Sequence, residues 1–263
     1  MSDTAADAPP RSSRWDANAS FWVQIIREHR DKYRNELTDP AMLHAIGDPR
    51  HLAVLDAGCG EGYLSRILAG QNATVTGIDF STKLIEAARR HNHADKLSVS
   101  FDVGSVDDLP YKDDTFDLVT CNHVMNDLRD PSQSISEFAR VLRQGGRLVI
   151  LMLHPCFYNR HAERDHTTNG VLAASYFDVR RVEQNFEVDG LTSPVANTAW
   201  FRPLEFYTQQ LSRTGFVITD LEEPHPSPHQ MSTDSFWQRG FTRPLFMLIT
   251  SELQRGGMNE TVP

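Results

Sequence analysis

A glycine-rich turn is the part of this sequence whose residue types point most directly to ligand binding. In the segment VLDAGCGEG, Gly58, Gly60 and Gly62 follow an apolar run and precede a helical pattern. Glycines at a strand-to-helix turn let the backbone approach a ligand closely, and the free amides at the helix start face that ligand. Several classes of nucleotide-binding protein share such a turn, so by itself it indicates only a nucleotide or nucleoside.

Two features of the turn discriminate among these ligands. Tyr63 stands where the dinucleotide pattern GxGxxG requires its third glycine, so that pattern is not met. Asp56, two residues before Gly58, would repel a pyrophosphate but would attract an ammonium or sulfonium group. The turn therefore predicts a nucleoside ligand that carries positive charge.

The ends of the next two apolar runs could bind the rest of such a nucleoside. Asp79 follows Gly62 by seventeen residues, at a position from which a carboxylate can accept hydrogen bonds from both ribose hydroxyls. Phe80 could lie against the face of an adenine ring. Ser105 and Val106 follow the third apolar run and are expected to meet the adenine edge.

Two histidines are candidate general bases, because the reference pKa of imidazole is near 6.5. His154 ends the fifth apolar run, and His123 lies beside Asn122 at the end of the fourth. His154 could equally be a hydrogen-bonded residue that positions the segment after it. His225 and His229 have a helical spacing, but the prolines around them disfavour a helix, so no metal site is predicted.

Alternating strands and helices are expected to bring these residues to one edge of a sheet. The strand patterns are LAVLDA, ATVTGID, LSVSFDV, FDLVTCN and GRLVILMLH, and the helical patterns among them are 62–69, 83–91 and 132–142. This alternation predicts a doubly wound α/β core. A helix at 203–214, the strand FVITDLEE, the loop PHPSPHQ and the strand PLFMLITSEL are predicted to complete that core.

The domain organisation follows from these patterns. In chain order we predict a disordered tail at 1–12, a helical cap at 13–50, a cofactor-binding core at 51–153, an insertion at 154–202, the rest of the core at 203–254 and a second tail at 255–263. The insertion is rich in aromatic residues and has no clean period. We expect it to form the acceptor pocket together with the N-terminal helices.

Aromatic residues of these two segments could contact ligands. Trp22, Phe157, Tyr176 and Trp200 are candidate substrate-binding residues, although packing of the cap onto the sheet explains such residues equally well. Tyr33 or Trp22 could lie over a sulfonium and stabilise it by a cation–π contact.

Composition excludes several classes of protein. The chain has 263 residues, enough for one large domain, and its net charge of −9 disfavours nucleic acids and anionic membranes as partners. Three cysteines without a CxxC pair argue against a disulfide framework or a thiolate zinc site. No apolar run has the length of a membrane span. We expect a cytoplasmic protein, either monomeric or homodimeric.

Together, VLDAGCGEG, VTGIDFS, DLPYKDDTFDLV and ARVLRQGGRLVI resemble the class I S-adenosylmethionine-dependent methyltransferases, in particular the small-molecule branch with ubiquinone-type and antibiotic-tailoring enzymes. The resemblance implies a Rossmann-like sheet of seven strands in the order 3-2-1-4-5-7-6, mostly parallel, with the last strand antiparallel. It also implies the cofactor S-adenosyl-L-methionine and the product S-adenosyl-L-homocysteine.

The resemblance further implies roles for individual residues. The first turn would bind the methionine part, Asp79 the ribose, and Asn122 would lie beside the methionine and the methyl group. Ser105 and Val106 would meet the adenine, although many members have Asp where Ser105 stands, which weakens that contact. The residues implied for the turn are Asp56, Gly58, Cys59 and Gly60.

The predicted function is methyl transfer, by in-line displacement, to an N, O or C nucleophile of a small organic acceptor, in secondary-metabolite or quinone-like biosynthesis. A peptide or protein methyltransferase and a cofactor-binding protein without catalysis are the alternatives. An NAD-dependent oxidoreductase would share the fold, but the glycine spacing and Asp56 count against it.

Overall fold

A seven-stranded sheet forms the centre of the structure, a computed structural model that describes residues 11–95, 97–158 and 176–255. In chain order the described strands are β1 (Ala53–Ala57), β2 (Thr74–Asp79), β3 (Val99–Val103), β4 (Phe116–Asn122), β5 (Leu142–Leu153), β6 (Arg180–Gln184), β7 (Glu187–Val188), β8 (Leu191–Thr192), β9 (Asn197–Phe201), β10 (Phe216–Glu222) and β11 (Phe246–Leu253).

The order of strands in the main sheet is β3-β2-β1-β4-β5-β11-β10. Neighbours among β1 to β5 are parallel, whereas β11 is antiparallel to both β5 and β10. Without the four short strands of the insertion, this is the predicted order 3-2-1-4-5-7-6 with the last strand antiparallel. The predicted fold class is confirmed.

Helices cover both faces of the sheet. They are α1 (Arg11–Arg27), α2 (Asp39–Ile46), α3 (Tyr63–Gly70), α4 (Thr82–Asp95), α5 (Ser132–Val141), α6 (Leu204–Arg213), α7 (Pro228–Thr233) and α8 (Ser235–Gly240), with a π-helical turn at Arg34–Thr38. Because α1 begins at Arg11, two residues predicted to lie in the N-terminal tail are helical. The remaining tail residues, 1–10 and 256–263, lie outside the described part of the chain.

One predicted loop is partly helical. The segment PHPSPHQ was expected to be irregular, but α7 starts at Pro228, inside it. Ser227 caps this helix: its Oγ accepts from the Gln230 backbone N–H, and the Gln230 side chain accepts from the Ser227 backbone N–H. A proline at the first helical position loses no hydrogen bond, which is why the prolines did not exclude a helix here.

The core consists of two apolar layers, one on each side of the sheet. Adjacent strand residues point to opposite sides, so Leu118 packs with α2, α3 and α8, whereas Val119 packs with α5 and α6. Trp237 of α8 is fully buried in the first layer. Among the described residues, no helix combines the length and the apolar character needed to cross a bilayer.

The described part of the insertion is a set of antiparallel hairpins. β6 pairs with β9, and β7 pairs with β8 nearer the tip. The sequence predicted no strands here, because the segments are short and their alternation is broken by charged residues such as Arg180 and Glu183. We call residues 180–201 the cap hairpin. The rest of the predicted insertion, 159–175, lies outside the described residues.

Helix α1 joins the cap hairpin to the core. The side chain of Asn18, buried at 1% exposure, donates to the Val195 carbonyl at 3.0 Å and accepts from the Val195 N–H at 3.1 Å. On the other side of the helix, Asp16 accepts from the Ser81 hydroxyl at 2.6 Å and from the Lys83 N–H at 3.2 Å, at the start of α4. α1 and the cap hairpin therefore form a cover anchored next to the end of β2.

Candidate active site

A cavity of about 630 Å³ lies at the carboxyl ends of β1, β2, β4 and β5, beneath α1 and the cap hairpin. Ligands of open α/β sheets bind at this edge, because the turns that follow the parallel strands converge there. The sequence-predicted site residues that line it are Asp56, Gly58, Cys59, Gly60, Asp79, Phe80, Ser105, Val106, Asn122, His123, Trp22 and Tyr33. Residues far apart in the chain thus meet in one cavity.

The glycine turn keeps its shape through left-handed backbone conformations. Gly58, Gly60 and Gly62 have φ angles of 76°, 57° and 77°. A Cβ on Gly62 would lie 2.5 Å from Cζ of Phe101, so a side chain there would collide with a buried ring. The N–H groups of Gly58 and Cys59 both donate to the Ile78 carbonyl, at 2.7 and 3.0 Å, which joins the turn to β2.

Asp79 lies directly beside that turn. Its two carboxylate oxygens accept from the backbone N–H of Gly60 at 3.0 Å and of Ser81 at 2.8 Å. A carboxylate has about four acceptor positions, so two remain for other donors. Burial raises the pKa of Asp79 to about 6, because the charged form is poorly solvated there and Asp56 and Asp16 are also negative.

Asp56 is buried more deeply, and neighbouring hydroxyls hold its side chain. Its carboxylate accepts from the Ser65 hydroxyl at 2.6 Å and from the Thr120 hydroxyl at 3.1 Å. Burial raises its pKa, while these two hydrogen bonds oppose the rise. The carboxylate therefore adds negative charge to the floor of the cavity from a fixed position.

A polar network at the β4 side of the cavity was not found from the sequence. The Tyr63 hydroxyl donates to Asp39 at 2.8 Å and accepts from Asn122 Nδ2 at 2.6 Å. The Arg34 guanidinium lies over the Tyr63 ring, 4.9 Å from its centroid. The sequence signal that could have pointed to Tyr63 is its departure from the dinucleotide pattern. Arg34 lies in the π-helical turn and belongs to no motif, so no signal pointed to it.

Several polar atoms of the cavity have no hydrogen-bond partner among the described residues. They are Trp22 Nε1, Arg34 Nε, Asn122 Oδ1 and Asn126 Nδ2. Buried polar groups are normally paired, and an unpaired one costs about 1–3 kcal/mol. Unpaired groups gathered in one cavity indicate a polar ligand.

The two candidate bases have different environments. His123 lines the cavity with its ring against Phe246, and burial together with the Arg34 charge lowers its pKa to about 3, so its imidazole is neutral. His154 is not among the lining residues. Its Nε2 bonds to Glu223 at 2.9 Å, and its Nδ1 accepts from the Cys156 N–H at 3.1 Å. Both ring nitrogens of His154 are therefore engaged in holding the chain after β5.

Three of the four predicted substrate-binding aromatics lie outside the cavity lining. Phe157 packs on the His154 ring, Tyr176 bonds to the backbone N–H of Leu204, and Trp200 lies on β9 with Arg129 and Arg181 near its ring. Instead, Phe186 of the cap hairpin meets Trp15 and Trp22 of α1 at ring distances of 6.0 and 4.8 Å. Periodicity could not reveal which aromatics face inward, because the hairpin register decides it.

Comparison with known proteins assigns the chain that forms this cavity to a family. The chain matches the family described as methyltransferase domain over residues 49–193, more than half of its length. This chain belongs to that family. The matched residues include the glycine turn, Asp79, Asn122 and the cap hairpin up to residue 193. The family match of the methyltransferase therefore includes segments that line the cavity. The predicted membership is confirmed.

Similar proteins agree with this assignment. The methyltransferase is 36% identical over 104 residues to a ubiquinone biosynthesis O-methyltransferase of Coxiella burnetii, an alignment that covers 40% of this chain and 44% of that protein. The chain thus spans less than half the length of this curated relative.

Two solved structures share the fold of the methyltransferase. An S-adenosylmethionine-dependent methyltransferase from Mesorhizobium loti has a TM-score of 0.63 at 22% identity, covering 81% of this chain and 96% of that one. The [4+2]-cyclase SpnF has a TM-score of 0.65 at 17% identity, covering 95% and 98%. At these identities the likeness concerns the fold alone.

Proposed function

We propose that this methyltransferase transfers a methyl group to an oxygen, nitrogen or carbon nucleophile of a small organic acceptor. The enzyme uses S-adenosylmethionine, whose sulfonium supplies an electrophilic methyl group. The observation that carries the proposal is the cavity itself, in which an acidic turn, a buried carboxylate on β2 and unpaired polar groups at and after the end of β4 meet beneath an aromatic cover.

The residues present fit the two ends of this cofactor. Asp79 has acceptor positions left for the ribose hydroxyls, and Phe80, Ser105 and Val106 would surround the adenine. At the methionine end, Asn122 Oδ1 is an unpaired acceptor suited to an ammonium group, and Arg34 is a cation suited to a carboxylate. Because Asn122 Nδ2 already donates to Tyr63, its oxygen is the atom left for the ligand.

The main contribution of the protein to the reaction would be orientation. Holding two reactants in line can contribute up to roughly 7–11 kcal/mol, provided that water is excluded. α1 and the cap hairpin cover the cavity, with Trp15, Trp22 and Phe186 in mutual contact. The neutral imidazole of His123 lines the cavity, and we propose that it accepts the proton that a hydroxyl acceptor such as a phenol loses during methyl transfer. His154 is proposed to position the segment after β5.

The proposed acceptor is small because the site is a covered cavity whose lining is largely apolar and aromatic. The relative from Coxiella burnetii is named an O-methyltransferase of ubiquinone biosynthesis, which favours an oxygen nucleophile and biosynthesis of small molecules. The secondary-metabolite setting stays a prediction.

Two measurements test the proposal. Isothermal calorimetry should detect S-adenosylhomocysteine binding and no NAD binding, and NAD binding alone would contradict the cofactor assignment. Tritium from labelled S-adenosylmethionine should then appear in members of a small-molecule library. Label in peptides but in no small molecule would favour the peptide alternative, and cofactor binding without any transfer would favour a non-catalytic protein.

A further inference from the structure

Two asparagines that line the cavity, one at the end of β4 and one after it, have opposite hydrogen-bonding atoms left unpaired. Asn122 uses its Nδ2 on Tyr63, which leaves Oδ1 unpaired, whereas Asn126 uses its Oδ1 on the Leu153 N–H at 2.9 Å, which leaves Nδ2 unpaired. The partners determine both orientations: a backbone N–H can only donate, and the Tyr63 hydroxyl already gives its proton to Asp39. One asparagine therefore offers an acceptor and the other a donor.

Asn126 lies on the β5 side of the cavity, where hydrogen bonds hold both its side chain and its backbone. It is only 2% exposed, and its side chain is attached to the end of β5. Its backbone carbonyl accepts from the Trp200 N–H at 2.6 Å, and the next residue, Asp127, accepts from Asn197 at 2.9 Å. Both contacts join the segment to β9 of the cap hairpin. A ligand oxygen that reached Asn126 Nδ2 would satisfy a buried donor that has no other partner among the described residues.

The charges that line the cavity are mainly negative. The carboxylates are Asp31, Asp56, Glu61, Asp79, Asp127 and Glu187, whereas Arg34 is the lining cation among the described residues and His123 is neutral. Glu61 is neutralised by Arg66, whose Nη2 donates to both carboxylate oxygens at 2.8 and 2.9 Å, and Arg34 lies 3.8 Å from Asp31. Of the remaining carboxylates Glu187 is exposed, whereas Asp56 and Asp79 are buried and Asp127 is partly buried, so their negative charge is poorly screened and repels an anionic ligand.

We propose that Asn126 is a specificity-determining residue, which donates a hydrogen bond from Nδ2 to an oxygen of the acceptor, and that the acceptor is uncharged or cationic. Carboxylate-bearing and phosphate-bearing acceptors are selected against by the surrounding charge. This inference rests on the proposed function and specifies the substrate class of the same site.

The test uses phenols in matched groups of three that differ in one ring substituent. This substituent is an uncharged methyl group, a cationic aminoethyl group or an anionic carboxymethyl group. Transfer of labelled methyl to each is measured for the wild-type enzyme and for Asn126→Asp and Asn126→Leu. Asp keeps the oxygen that accepts from Leu153 and removes the donor, while Leu has no donor at any pH. We expect the KM for uncharged phenols to rise at least tenfold in both variants, and the wild type to disfavour the carboxymethyl members at least tenfold.

Asn92→Asp is the matched control, because Asn92 is another asparagine with an unpaired amide atom but lies on α4 outside the cavity lining. Asn92→Asp should leave the KM for the uncharged phenols and the KM for the carboxymethyl phenols unchanged. S-adenosylhomocysteine affinity and the thermal midpoint are measured for every variant, so that a folding defect is recognised. An unchanged KM in folded Asn126→Asp and Asn126→Leu overturns the proposal, as does equal use of the carboxymethyl phenols.

The inference and the proposed function fail in different ways. If S-adenosylhomocysteine binds but no uncharged or cationic phenol is methylated, the proposed acceptor class is wrong and the cofactor site stands. If S-adenosylhomocysteine itself does not bind, the proposed function fails first.

Discussion

The two halves of the cavity are built by different means. The half in which we propose that the cofactor binds, here called the cofactor half, comes from short turns directly after β1, β2 and β3. It depends on backbone conformation and on backbone N–H groups that hold one carboxylate. The half in which we propose that the acceptor binds, here called the acceptor half, comes from α1, the segment after β4 and the cap hairpin. These elements lie far apart along the chain, by 177 residues in the Asn18–Val195 contact. It depends on side chains.

This difference indicates which half can vary. A backbone-built site tolerates few substitutions, because glycines at positive φ cannot be replaced without strain. A side-chain-built site can change its ligand through single substitutions while the fold persists. The following predictions test that contrast, from the largest expected effect to the smallest.

Gly62→Ala should break the cofactor half. The new Cβ would lie 2.5 Å from the Phe101 ring and 3.1 Å from Ala88 Cβ, at a φ of 77°. Strain and overpacking together should lower the free energy of unfolding by about 2–5 kcal/mol, measured by urea denaturation without cofactor. Gly60→Ala is the control: nothing lies within 4 Å of its Cβ, so only the backbone cost of about 1–2 kcal/mol should appear. Equal losses would contradict the packing argument.

Asp79→Asn should weaken S-adenosylhomocysteine binding by about 1.5–3 kcal/mol, because hydrogen bonds to a charged group are lost. The ribose hydroxyls would donate to the ionised carboxylate, whose pKa is raised to about 6. Wild-type affinity should therefore fall as the pH decreases through about 6, and the variant should lose this dependence. Calorimetry at several pH values measures both, with exposed Asp220→Asn as the control. A variant that keeps the wild-type pH profile would contradict this role.

Asn18→Ala should loosen the acceptor half and spare the cofactor half. It removes the paired hydrogen bonds to Val195, so local opening of the cap hairpin should become easier by about 1–2 kcal/mol, measured by amide hydrogen exchange. Arg30→Ala removes an exposed ion pair with Asp189 in the same hairpin and should change nothing measurable. Weakened cofactor binding in Asn18→Ala would mean that the two halves are not separable.

Tyr63→Phe should have the smallest effect, since it removes one hydroxyl between Asp39 and Asn122 at the boundary of the halves. A single hydrogen bond contributes about 0.5–1.5 kcal/mol, so S-adenosylhomocysteine affinity should fall by roughly 2- to 10-fold. Tyr111→Phe is the matched control, because its hydroxyl also bonds to an aspartate, Asp102 at 2.9 Å, but it does not line the cavity. The same loss in both variants would exclude a specific role for Tyr63.

The amino-acid sequence alone determined the α/β class of the sheet and most residues of the cofactor half. Those features depend on local signals: apolar runs, helix ends and glycines with a carboxylate at a set spacing. The strand order was implied by the resemblance of several motifs to known methyltransferases. Because the carboxyl ends of parallel strands share one edge of the sheet, the motifs that end these strands could be placed at that edge from the sequence. The sequence also supplied Asp79 and Asn122, which the structure places in the cavity.

Only the tertiary structure decided the acceptor half. Whether Trp22 or Trp200 faces the cavity depends on how α1 and the cap hairpin dock. His154 bonds to Glu223, which follows β10, a strand two places from β5 in the sheet, and no local pattern reveals this pairing. Arg34, Tyr63 and Asn126 acquire their roles from contacts with distant residues. Local periodicity indicates which face of a helix or strand is buried, but not which other element covers that face. The packing of α1 and the cap hairpin over the sheet forms this half of the site.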